Sequence, residues 1–413
     1  MIQAPRGTFD ILPEDAARRK ALEQQVERIL GAAGYRRIET PTFEATELFA
    51  RGVGESTDIV QKEMYTFDDG GGRSLTLRPE ITAPICRAYL EHGMHKLVQP
   101  VKLWYLSSCF RAEAPQRGRY RQFWQVGAEA IGSPTAETDA ELIVLLSDLL
   151  EAVGVRGTRL RLSSLGTAAT RAEYREELAA YLHAHEDELS ADVRSRIDLN
   201  PMRAFDSSDP GTKAVMRNAP KLLDRLAPED AEHFAQVRAL LDDAGIRYEL
   251  DPALVRGLDY YTRTLWEFTS DELGAQSGVG GGGRYDGLIE LLDGPPTPGV
   301  GWAAGVDRML LASRELTPGS ELVDLFVALA GPEGARAGFD LAREARRAGL
   351  QAQLELARRS LKGQLRHADR IGARYVAIVG ENGTATLRNM ESGTERDTQL
   401  GNVIPEILRE WRL

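Results

Sequence analysis

The chain has 413 residues, of which 42% are hydrophobic and 27% are charged, and its formal net charge is −11. This composition is typical of a soluble globular protein and argues against wholesale disorder, and the length predicts two or three domains. The longest strongly apolar stretch, residues 142–153, contains polar residues and is too short to span a bilayer, so no membrane association is predicted. The two cysteines, Cys86 and Cys109, cannot form a disulfide framework, and a reducing cytoplasm is the predicted location.

The charge is unevenly distributed along the chain. Residues 323–413 contain 14 basic and 12 acidic residues, a net +2, so the first 322 residues carry −13. Between Arg343 and Arg374, nine basic residues accompany three acidic ones. The negative total argues against sequence-independent binding of DNA, whereas a local basic face suits a selected anionic partner such as a structured RNA. A solvated helix surface without a partner explains the same composition equally well.

Residues 1–164 are predicted to contain two long helices and several strands. Apolar residues at helical spacing, with Pro13 before them and Gly34 after them, predict a helix over 14–33 whose apolar face comprises Leu22, Val26, Ile29, Leu30 and Ala33. A second helix is predicted over 138–153, with an apolar face of Leu142, Leu145, Leu146 and Leu149. A long hairpin loop at 111–121 is predicted between the last two of the strands near 36–40, 64–67, 74–77, 102–110 and 123–130.

The middle of the chain changes character twice. In residues 165–246, strand signals fade and Glu, Arg, Ala and Leu recur at helical spacing, which predicts an inserted helical module. Strand signals return in residues 247–316, where a glycine cluster, Gly278–Gly283, precedes Arg284. The end of this part, 302–314, is predicted to be a strand that turns into a buried helix.

A linker is predicted at 317–322, and a separate domain at 323–413. In this domain apolar strands alternate with helices, which is the pattern of a small α/β domain. Its strands are predicted over 325–330, 351–355 and 375–379, and its helices over 334–348, 361–371 and 403–411.

The loop at 111–121 contains four arginines and one glutamate. Arginine suits bidentate phosphate contacts because its planar fork matches phosphate oxygens and always keeps its charge. The loop therefore favours a phosphate site held over a sheet by the flanking strands, although a solvent-exposed hairpin tip has a similar composition.

Two carboxylates and a glycine run are further candidates. Glu80 and Glu129 follow apolar strand-like segments, where a carboxylate is costly to bury unless it pairs with an arginine or binds a cationic ligand. Gly278–Gly283 lacks the endings of a Walker loop and of a dinucleotide fingerprint, so a ligand-contacting backbone and a tight turn are equally compatible with it. Six scattered histidines and two cysteines give no zinc-type cluster, so no metal site made by protein side chains is predicted.

Three segments resemble the motifs of class II aminoacyl-tRNA synthetases. Residues 34–41, Gly-Tyr-Arg-Arg-Ile-Glu-Thr-Pro, resemble the dimer-forming first motif, and Phe110-Arg111-Ala112-Glu113 with the loop through Glu129 resembles the second. The third motif resembles residues 299–308, which end in Arg308. More specific are Arg256-Gly-Leu-Asp-Tyr-Tyr261, Gly281-Gly-Gly-Arg-Tyr-Asp286 and Leu77-Arg-Pro-Glu-Ile-Thr82, which resemble segments of the histidyl-tRNA synthetase family in its own order.

This resemblance covers nearly the whole chain and implies a fold. It implies an α/β (α+β type) protein whose catalytic core is an antiparallel β-sheet with flanking helices. The core would be interrupted by a helical insertion and followed by a C-terminal α/β anticodon-binding domain. The family also assembles as homodimers. A homodimer is therefore the predicted assembly.

The resemblance also implies a role for each matching residue. Three arginines would be catalytic and would bind ATP phosphates: Arg111, Arg256 and Arg308. Glu113 and Phe123 would complete the ATP site, with Phe123 stacked on adenine. Histidine would be bound by Glu80, Ile81, Thr82, Gln125, Glu129, Tyr260, Tyr261 and Tyr285. Gln116 and Arg121 would meet the acceptor end of the tRNA.

The implied function is that of a histidine–tRNA ligase, with ATP and Mg²⁺, L-histidine and tRNA(His) as partners and no permanently bound cofactor. The alternative is a non-catalytic, histidine-sensing regulatory subunit of ATP phosphoribosyltransferase, which loses several ATP and tRNA residues and lacks the C-terminal domain. Three residues depart from the family pattern: Ala114 replaces a common arginine, Trp124 a frequent histidine and Asp307 a glutamate. None of these departures removes a residue that the chemistry requires.

Overall fold

The computed structural model describes residues 2–54, 57–254, 258–313, 316, 323–380 and 383–410, apart from the side chains at positions 206, 275 and 276. Contacts within the chain divide it into two compact units, Met1–Thr317 and Pro318–Leu413. Arg256 and the predicted linker at 317–322 lie outside the described residues. The boundaries of the helical insertion within the first unit stay a prediction.

The first unit combines helices with a large sheet. Its helices are α1 (Pro13–Ala32), α2 (Thr46–Val53), α3 (Thr82–Glu91), α4 (Ala136–Ala152), α5 (Ala168–Ala184), α6 (Ala191–Arg194), α7 (Pro210–Arg217), α8 (Pro228–Asp243), α9 (Leu288–Leu291) and α10 (Val306–Ala312). Its strands are β1 (Arg36–Arg37), β2 (Phe43–Ala45), β3 (Tyr65–Asp68), β4 (Ser74–Leu77), β5 (Val101–Phe110), β6 (Gln122–Ile131), β7 (Thr158–Ser164), β8 (Tyr248–Leu250), β9 (Thr262–Ser270), β10 (Gly278–Arg284) and β11 (Gly299–Gly305).

Eight strands form the main sheet in the order β1-β5-β6-β11-β10-β9-β7-β8. The pairs β1–β5 and β7–β8 are parallel, and the others are antiparallel. The long hairpin of β5 and β6 carries the arginine-rich loop at 111–121 beyond its last pair, Phe110 with Gln122. A small sheet of order β2-β4-β3 precedes α3.

The two faces of the main sheet differ because side chains alternate along each strand. Val126, Ala128 and Ala130 of β6 belong to an apolar core with residues of α1, α4, α8 and α10. The sequence-predicted apolar faces of the first two long helices are confirmed: Leu22 of α1 and Leu146 of α4 are fully buried. The intervening residues of β6 point to the opposite face, which is the face that carries the candidate site.

The glycine cluster, Gly278–Gly283, forms strand β10, so the tight turn that the sequence also allowed is wrong. β10 pairs with β9 on one side and β11 on the other, at the centre of the sheet. A Cβ atom at Gly280 would lie 2.6 Å from the Cβ of Ala304, and one at Gly282 would lie 2.0 Å from the carbonyl oxygen of Gly301. Glycine is required here because neighbouring strands approach too closely for a side chain.

The predicted helical insertion contains α5 to α8, as the sequence indicated. Its buried residues Tyr174, Leu178 and Leu182 belong to the same apolar cluster as Tyr260 and Leu265 of the main sheet region. α5 of the insertion therefore packs onto the face of the sheet opposite the α1–α4 core, whereas α8 of the insertion belongs to that core through Phe234, Val237 and Leu241.

The second unit is a smaller α/β fold. Its helices are α11 (Ala335–Arg347), α12 (Leu361–Arg370) and α13 (Leu400–Glu410), and its sheet has the order β13-β12-β14-β15-β16. The strands are β12 (Leu325–Leu329), β13 (Ala352–Leu354), β14 (Tyr375–Val379), β15 (Thr384–Asn389) and β16 (Glu395–Gln399). Two strands, β15 and β16, were not predicted from the sequence; β16 is short, polar and largely exposed, and so has no strand-like apolar pattern. No helix within the described ranges combines the length and apolarity needed to cross a bilayer.

Candidate active site

A cavity of about 540 Å³ opens on the face of the sheet formed by β5, β6, β11 and β10. Many of the sequence-predicted site residues line it, although they are distant in the chain. They are Glu80, Ile81, Thr82, Arg111, Glu113, Phe123, Gln125, Tyr260, Tyr261, Tyr285 and Arg308. The cavity therefore brings carboxylates, tyrosines and guanidinium groups together around one volume.

Two linked carboxylates lie at one end of the cavity: Glu80 lines it, and Glu129 is buried beside it. Glu80 precedes α3 and accepts hydrogen bonds from the backbone N–H groups of Thr82, at 2.8 Å, and Ala83, at 3.1 Å. The hydroxyl of Thr82 donates to Glu129 Oε1 at 2.7 Å, and the hydroxyl of Tyr285 donates to Glu129 Oε2 at 2.6 Å. Thr82 thus joins the two carboxylates whose convergence the sequence left open.

Burial changes the acidity of both carboxyl groups. Desolvation raises the pKa of Glu129 to about 8, against hydrogen bonds that lower it, and the nearby Glu80 raises it further. Desolvation also raises the pKa of Glu80 to about 7, although the backbone N–H groups of α3 oppose the shift. Because a nearby positive charge favours the ionised form of a carboxyl group, this end of the cavity is suited to a cationic ligand.

The floor of the cavity is backbone. Gly281, Gly301 and Gly305 line it, and in the register of the sheet Glu129 pairs with Gly301 and Gln125 with Gly305. A ligand can therefore approach the sheet backbone closely at the centre of the site.

We expect Gly301→Ala to damage the carboxylate end of the site. A Cβ atom at this position would lie 1.6 Å from Glu129 Oε2, whose carboxylate is held by Thr82 and Tyr285. Overpacking of this kind costs about 1–3 kcal/mol, so the variant should melt at a lower temperature. Gly287→Ala is the matched control, since a Cβ atom there would meet nothing within 4 Å. Equal melting temperatures for the two variants would contradict this account.

The other end of the cavity is basic. Arg111 lies between the two ends: it donates from Nε to the carbonyl oxygen of Pro79 at 3.0 Å, its charge opposes the rise that burial causes in the pKa of both Glu80 and Glu113, and its guanidinium lies 5.2 Å from the centre of the Phe123 ring. Arg308 donates to the carbonyl oxygens of Gly118, at 2.8 Å, and Gly278, at 2.6 Å. Desolvation, followed by the charge of Arg119, lowers the pKa of Arg308. A partly desolvated guanidinium beside another arginine is suited to an anionic ligand.

Two further carboxylates lie at the basic end. Glu113 forms an ion pair of 2.5 Å with Arg119, and burial raises the pKa of Glu113. Glu267 of β9 lines the cavity and pairs with Arg161 at 3.1 Å. Within the described ranges, no group of three or more His, Cys, Asp or Glu residues is placed to hold a metal ion.

The other sequence-predicted residues lie around the cavity or outside the described part. Glu129 is fully buried next to the cavity. Gln116 and Arg121 belong to the loop at 111–121 but do not line the cavity; Arg121 Nε donates to the carbonyl oxygen of Glu113 at 3.2 Å. Arg256 lies outside the described residues. Of the three arginines predicted to meet in one site, Arg111 and Arg308 line the same cavity, and the position of Arg256 stays a prediction.

Two departures from the family pattern contact each other. The carboxylate of Asp307 accepts a hydrogen bond from the backbone N–H of Trp124 at 3.2 Å and pairs with Arg19 of α1. Since the backbone makes this contact, it does not depend on the side chain at position 124. Ala114 is exposed in the loop and has no polar side-chain atom to contact a phosphate.

Sequence analysis missed several cavity residues. Tyr105 of β5 is 1% exposed, lines the cavity, and its hydroxyl has no hydrogen-bond partner within the described residues. Glu267 is flanked by Trp266 and Phe268 in a strand, which is the same signal that identified Glu129. Asp58 and Arg203 form an ion pair of 2.6 Å at the cavity, and no local pattern indicates it.

Comparisons with known proteins identify the family of the chain. Residues 7–309 match the family model described as Histidyl-tRNA synthetase, and residues 327–410 match the one described as Anticodon binding domain. The histidine–tRNA ligase of Rubrobacter xylanophilus is 48% identical over 405 residues, covering 95% of each chain. The histidine–tRNA ligase of Thermosynechococcus vestitus is 46% identical over 399 residues, covering 95% of this chain and 93% of that protein.

Solved structures resemble the whole chain. The apo histidyl-tRNA synthetase of S. aureus has a TM-score of 0.82 and 37% identity, covering 98% of this chain and 100% of that one. A structure from Bacillus halodurans C, described as an ATP phosphoribosyltransferase regulatory subunit/histidyl-tRNA synthetase, has a TM-score of 0.62 and 25% identity, covering 86% and 93%. With its family-model match and its full-length relatives, this chain belongs to the histidyl-tRNA synthetase family, with the class II synthetase fold and a separate C-terminal anticodon-binding domain.

Proposed function

We infer that the chain is an ATP-dependent histidine–tRNA ligase, which activates histidine as an adenylate and transfers it to the 3′ end of tRNA(His). The observation that carries this inference is the polarity of one cavity. Buried carboxylates, Glu80 and Glu129, lie at one end and the guanidinium group of Arg308 lies at the other, while Arg111 lies between them, near both Glu80 and Glu113. The carboxylates suit the positive ammonium group of an amino acid, and the guanidinium groups suit the phosphates of ATP and the amino acid's own carboxylate.

The first step joins two anions. The carboxylate oxygen of histidine attacks the α-phosphorus of ATP, a new P–O bond forms, and the bond to the bridging oxygen of pyrophosphate breaks. We assign Arg111 to the α-phosphate and the histidine carboxylate, Arg308 to the γ-phosphate, and Arg256 to the α-phosphate. Preorganised guanidinium groups stabilise the charge that develops on the phosphate oxygens, and no nucleophilic side chain is needed. In the second step the 3′-terminal hydroxyl of the tRNA attacks the carbonyl carbon of the adenylate, and AMP leaves.

Selection of histidine is assigned to the carboxylate end. Glu80, Thr82 and Gln125 would hold the ammonium group, and Glu129 and Tyr261 would pair the two ring nitrogens of the imidazole. Ile81, Tyr260 and Tyr285 would enclose the ring. A site whose buried polar groups need both partners can reject amino acids that lack them by about 10⁴-fold without editing.

ATP would lie over the glycine backbone of the floor, with its adenine on Phe123 and with Glu113 beside it. Mg²⁺ would enter with ATP, since it binds phosphates together with one or two carboxylates. Glu113 and Glu267 are two of the carboxylates that line the cavity near Arg308, so the residues present fit such an ion. The ion would neutralise phosphate charge.

The tRNA contacts are assigned to two regions. Gln116 and Arg121 of the loop at 111–121 would meet the acceptor end, and the basic second unit would bind the anticodon. A homodimeric assembly, a cytoplasmic location and the lack of DNA and membrane partners remain predictions from the sequence and the family resemblance. The regulatory-subunit alternative is less well supported, because the anticodon-binding match covers residues 327–410.

The purified chain should catalyse ATP–pyrophosphate exchange that depends on histidine, and it should charge tRNA(His). Exchange reports adenylate formation alone, so it separates the two candidate functions. A regulatory subunit would bind histidine without exchange. Histidine binding in the absence of any exchange or charging would therefore contradict the ligase assignment and support the alternative.

A further inference from the structure

The helical insertion holds the loop that carries Tyr260 and Tyr261. We propose that Arg171 of α5 is a positioning residue for this loop, so that the insertion sets the affinity of the site for histidine. This proposal rests on the proposed function, because it assigns the loop to histidine recognition. The two are separable, since the ligase assignment requires no part of the insertion.

Arg171 contacts the backbone of the loop on both sides of Tyr260. Its Nη1 atom donates to the carbonyl oxygen of Tyr261 and, at 3.4 Å, to that of Asp259. Residues 258–261 are outside helices and strands, so the direction of the loop is not fixed by a ladder of backbone hydrogen bonds. Desolvation lowers the pKa of Arg171, which indicates that the insertion buries this guanidinium against the loop. One side chain of the insertion therefore connects to the backbone that presents both tyrosines.

A second contact fixes the other end of the loop. Arg263 has a left-handed φ of 45°, which is costly for an arginine, and the pairing of β9 with β10 is irregular at this point. Its guanidinium pairs with Asp230 at 2.9 Å and with Glu229 at 2.6 Å, both on α8 of the insertion. Asp230 is buried and also accepts from the backbone N–H of Thr167 at 2.8 Å. The strained residue is thus held by the insertion as well.

The loop continues into the carboxylate end of the cavity. The rings of Tyr260 and Tyr261 are 4.8 Å apart, and those of Tyr260 and Tyr285 are 5.9 Å apart. Tyr285 in turn donates to Glu129 at 2.6 Å. A displacement of the loop would therefore move the aromatic wall beside Glu129. The contacts of Arg111 and Arg308 with their neighbours do not involve this loop.

The test is steady-state ATP–pyrophosphate exchange with Arg171→Gln and Arg171→Lys in the full chain. We expect Arg171→Gln to raise the KM for histidine by about tenfold, because hydrogen bonds from a charged group to two carbonyl oxygens are lost. The KM for ATP should stay within about twofold. Arg171→Lys keeps the charge but carries it on a shorter side chain that reaches the two carbonyl oxygens less well, so its KM for histidine should rise by about threefold.

Arg175→Gln is the matched control. Arg175 lies one turn further along α5, and its Nη2 atom donates at 2.7 Å to the carbonyl oxygen of Leu199, also within residues 165–246. We expect this variant to keep both KM values. An unchanged KM for histidine in Arg171→Gln, or equal rises in the KM for histidine and for ATP, would overturn the proposal.

Two further measurements show why the test fails, if it fails. The melting transition shows whether a variant has folded, and the exchange rate of the unsubstituted chain shows whether the ligase assignment holds. If Arg171→Gln shows no cooperative melting transition, the lysine variant decides the matter, and a KM for histidine equal to that of the unsubstituted chain would overturn the proposal. If the unsubstituted chain shows no histidine-dependent exchange, the ligase assignment itself fails. The proposal fails with it.

Discussion

Replacement of Arg111 by glutamine is expected to lower the kcat of histidine-dependent ATP–pyrophosphate exchange by about 10²–10³-fold. Negative charge grows on the α-phosphate oxygens during attack, and a donor aimed at that charge contributes more in the transition state than in the ground state. Arg111 lies on the Phe123 ring and is fixed by Pro79, so its guanidinium is preorganised. The effect should therefore fall on kcat more than on the KM for ATP.

Arg117→Gln is the control for this prediction. Arg117 lies in the same loop at 111–121, is exposed and does not line the cavity, so this variant makes the same change of charge outside the site. We expect it to keep the exchange rate within about twofold, because surface charges contribute little. Similar rates for the two variants would show that Arg111 acts only through the general charge of the loop.

Glu129→Gln is expected to raise the KM for histidine by roughly 30-fold to 5,000-fold, since a buried charged hydrogen bond contributes about 2–5 kcal/mol to binding. The amide keeps the shape of the carboxylate but loses its charge and one acceptor oxygen. Both oxygens of Glu129 are used, one by Thr82 and one by Tyr285. The exchange rate as a function of histidine concentration measures the effect.

The same substitution should affect stability in a pH-dependent way. Burial raises the pKa of Glu129 from 4.5 to about 8, so between these values the folded state binds more protons than the unfolded state. The free energy of unfolding therefore falls as the pH rises through this window. Glutamine does not titrate. The melting temperature of Glu129→Gln relative to the unsubstituted chain should thus increase as the pH rises from about 5 to about 8 without histidine.

A melting-temperature difference that is constant or decreases with pH would contradict the raised pKa of Glu129. Glu113→Gln serves as the comparison. This variant removes a carboxylate whose pKa burial also raises and which pairs with Arg119 at 2.5 Å. Because the net shift of the Glu113 pKa is also upward, the same linkage applies, and this variant should gain relative stability as the pH rises from 4.5 toward the raised pKa of Glu113.

The sequence predicted those elements whose pattern is local. α1 and α4 follow from apolar residues at helical spacing, and β5 and β6 follow from long apolar runs that flank an arginine-rich loop. β10 could not be predicted in this way, because glycine has no intrinsic preference for a strand. It forms a strand because β9 and β11 provide partners on both sides, and this depends on residues far away in the chain.

In the site, too, local sequence patterns identify single residues but not the contacts between residues that are distant in the chain. Glu80 and Glu129 were candidates as carboxylates in apolar surroundings, but their connection through the hydroxyl of Thr82 depends on the packing of α3 against β6. Family resemblance supplied the identities of the arginines and tyrosines. Neither source indicated Arg171 or Arg263, because the function of these residues depends on which backbone they contact. Such contacts exist only once the insertion has packed onto the sheet.

The central claim is that one cavity holds histidine and ATP end to end. A crystal structure of the chain grown with histidine, ATP and Mg²⁺ tests it most directly. The account predicts a histidyl-adenylate with its imidazole between Glu129 and Tyr261 and its phosphate on Arg111. Density for the nucleotide elsewhere on the protein, or an imidazole away from Glu129, would contradict the account.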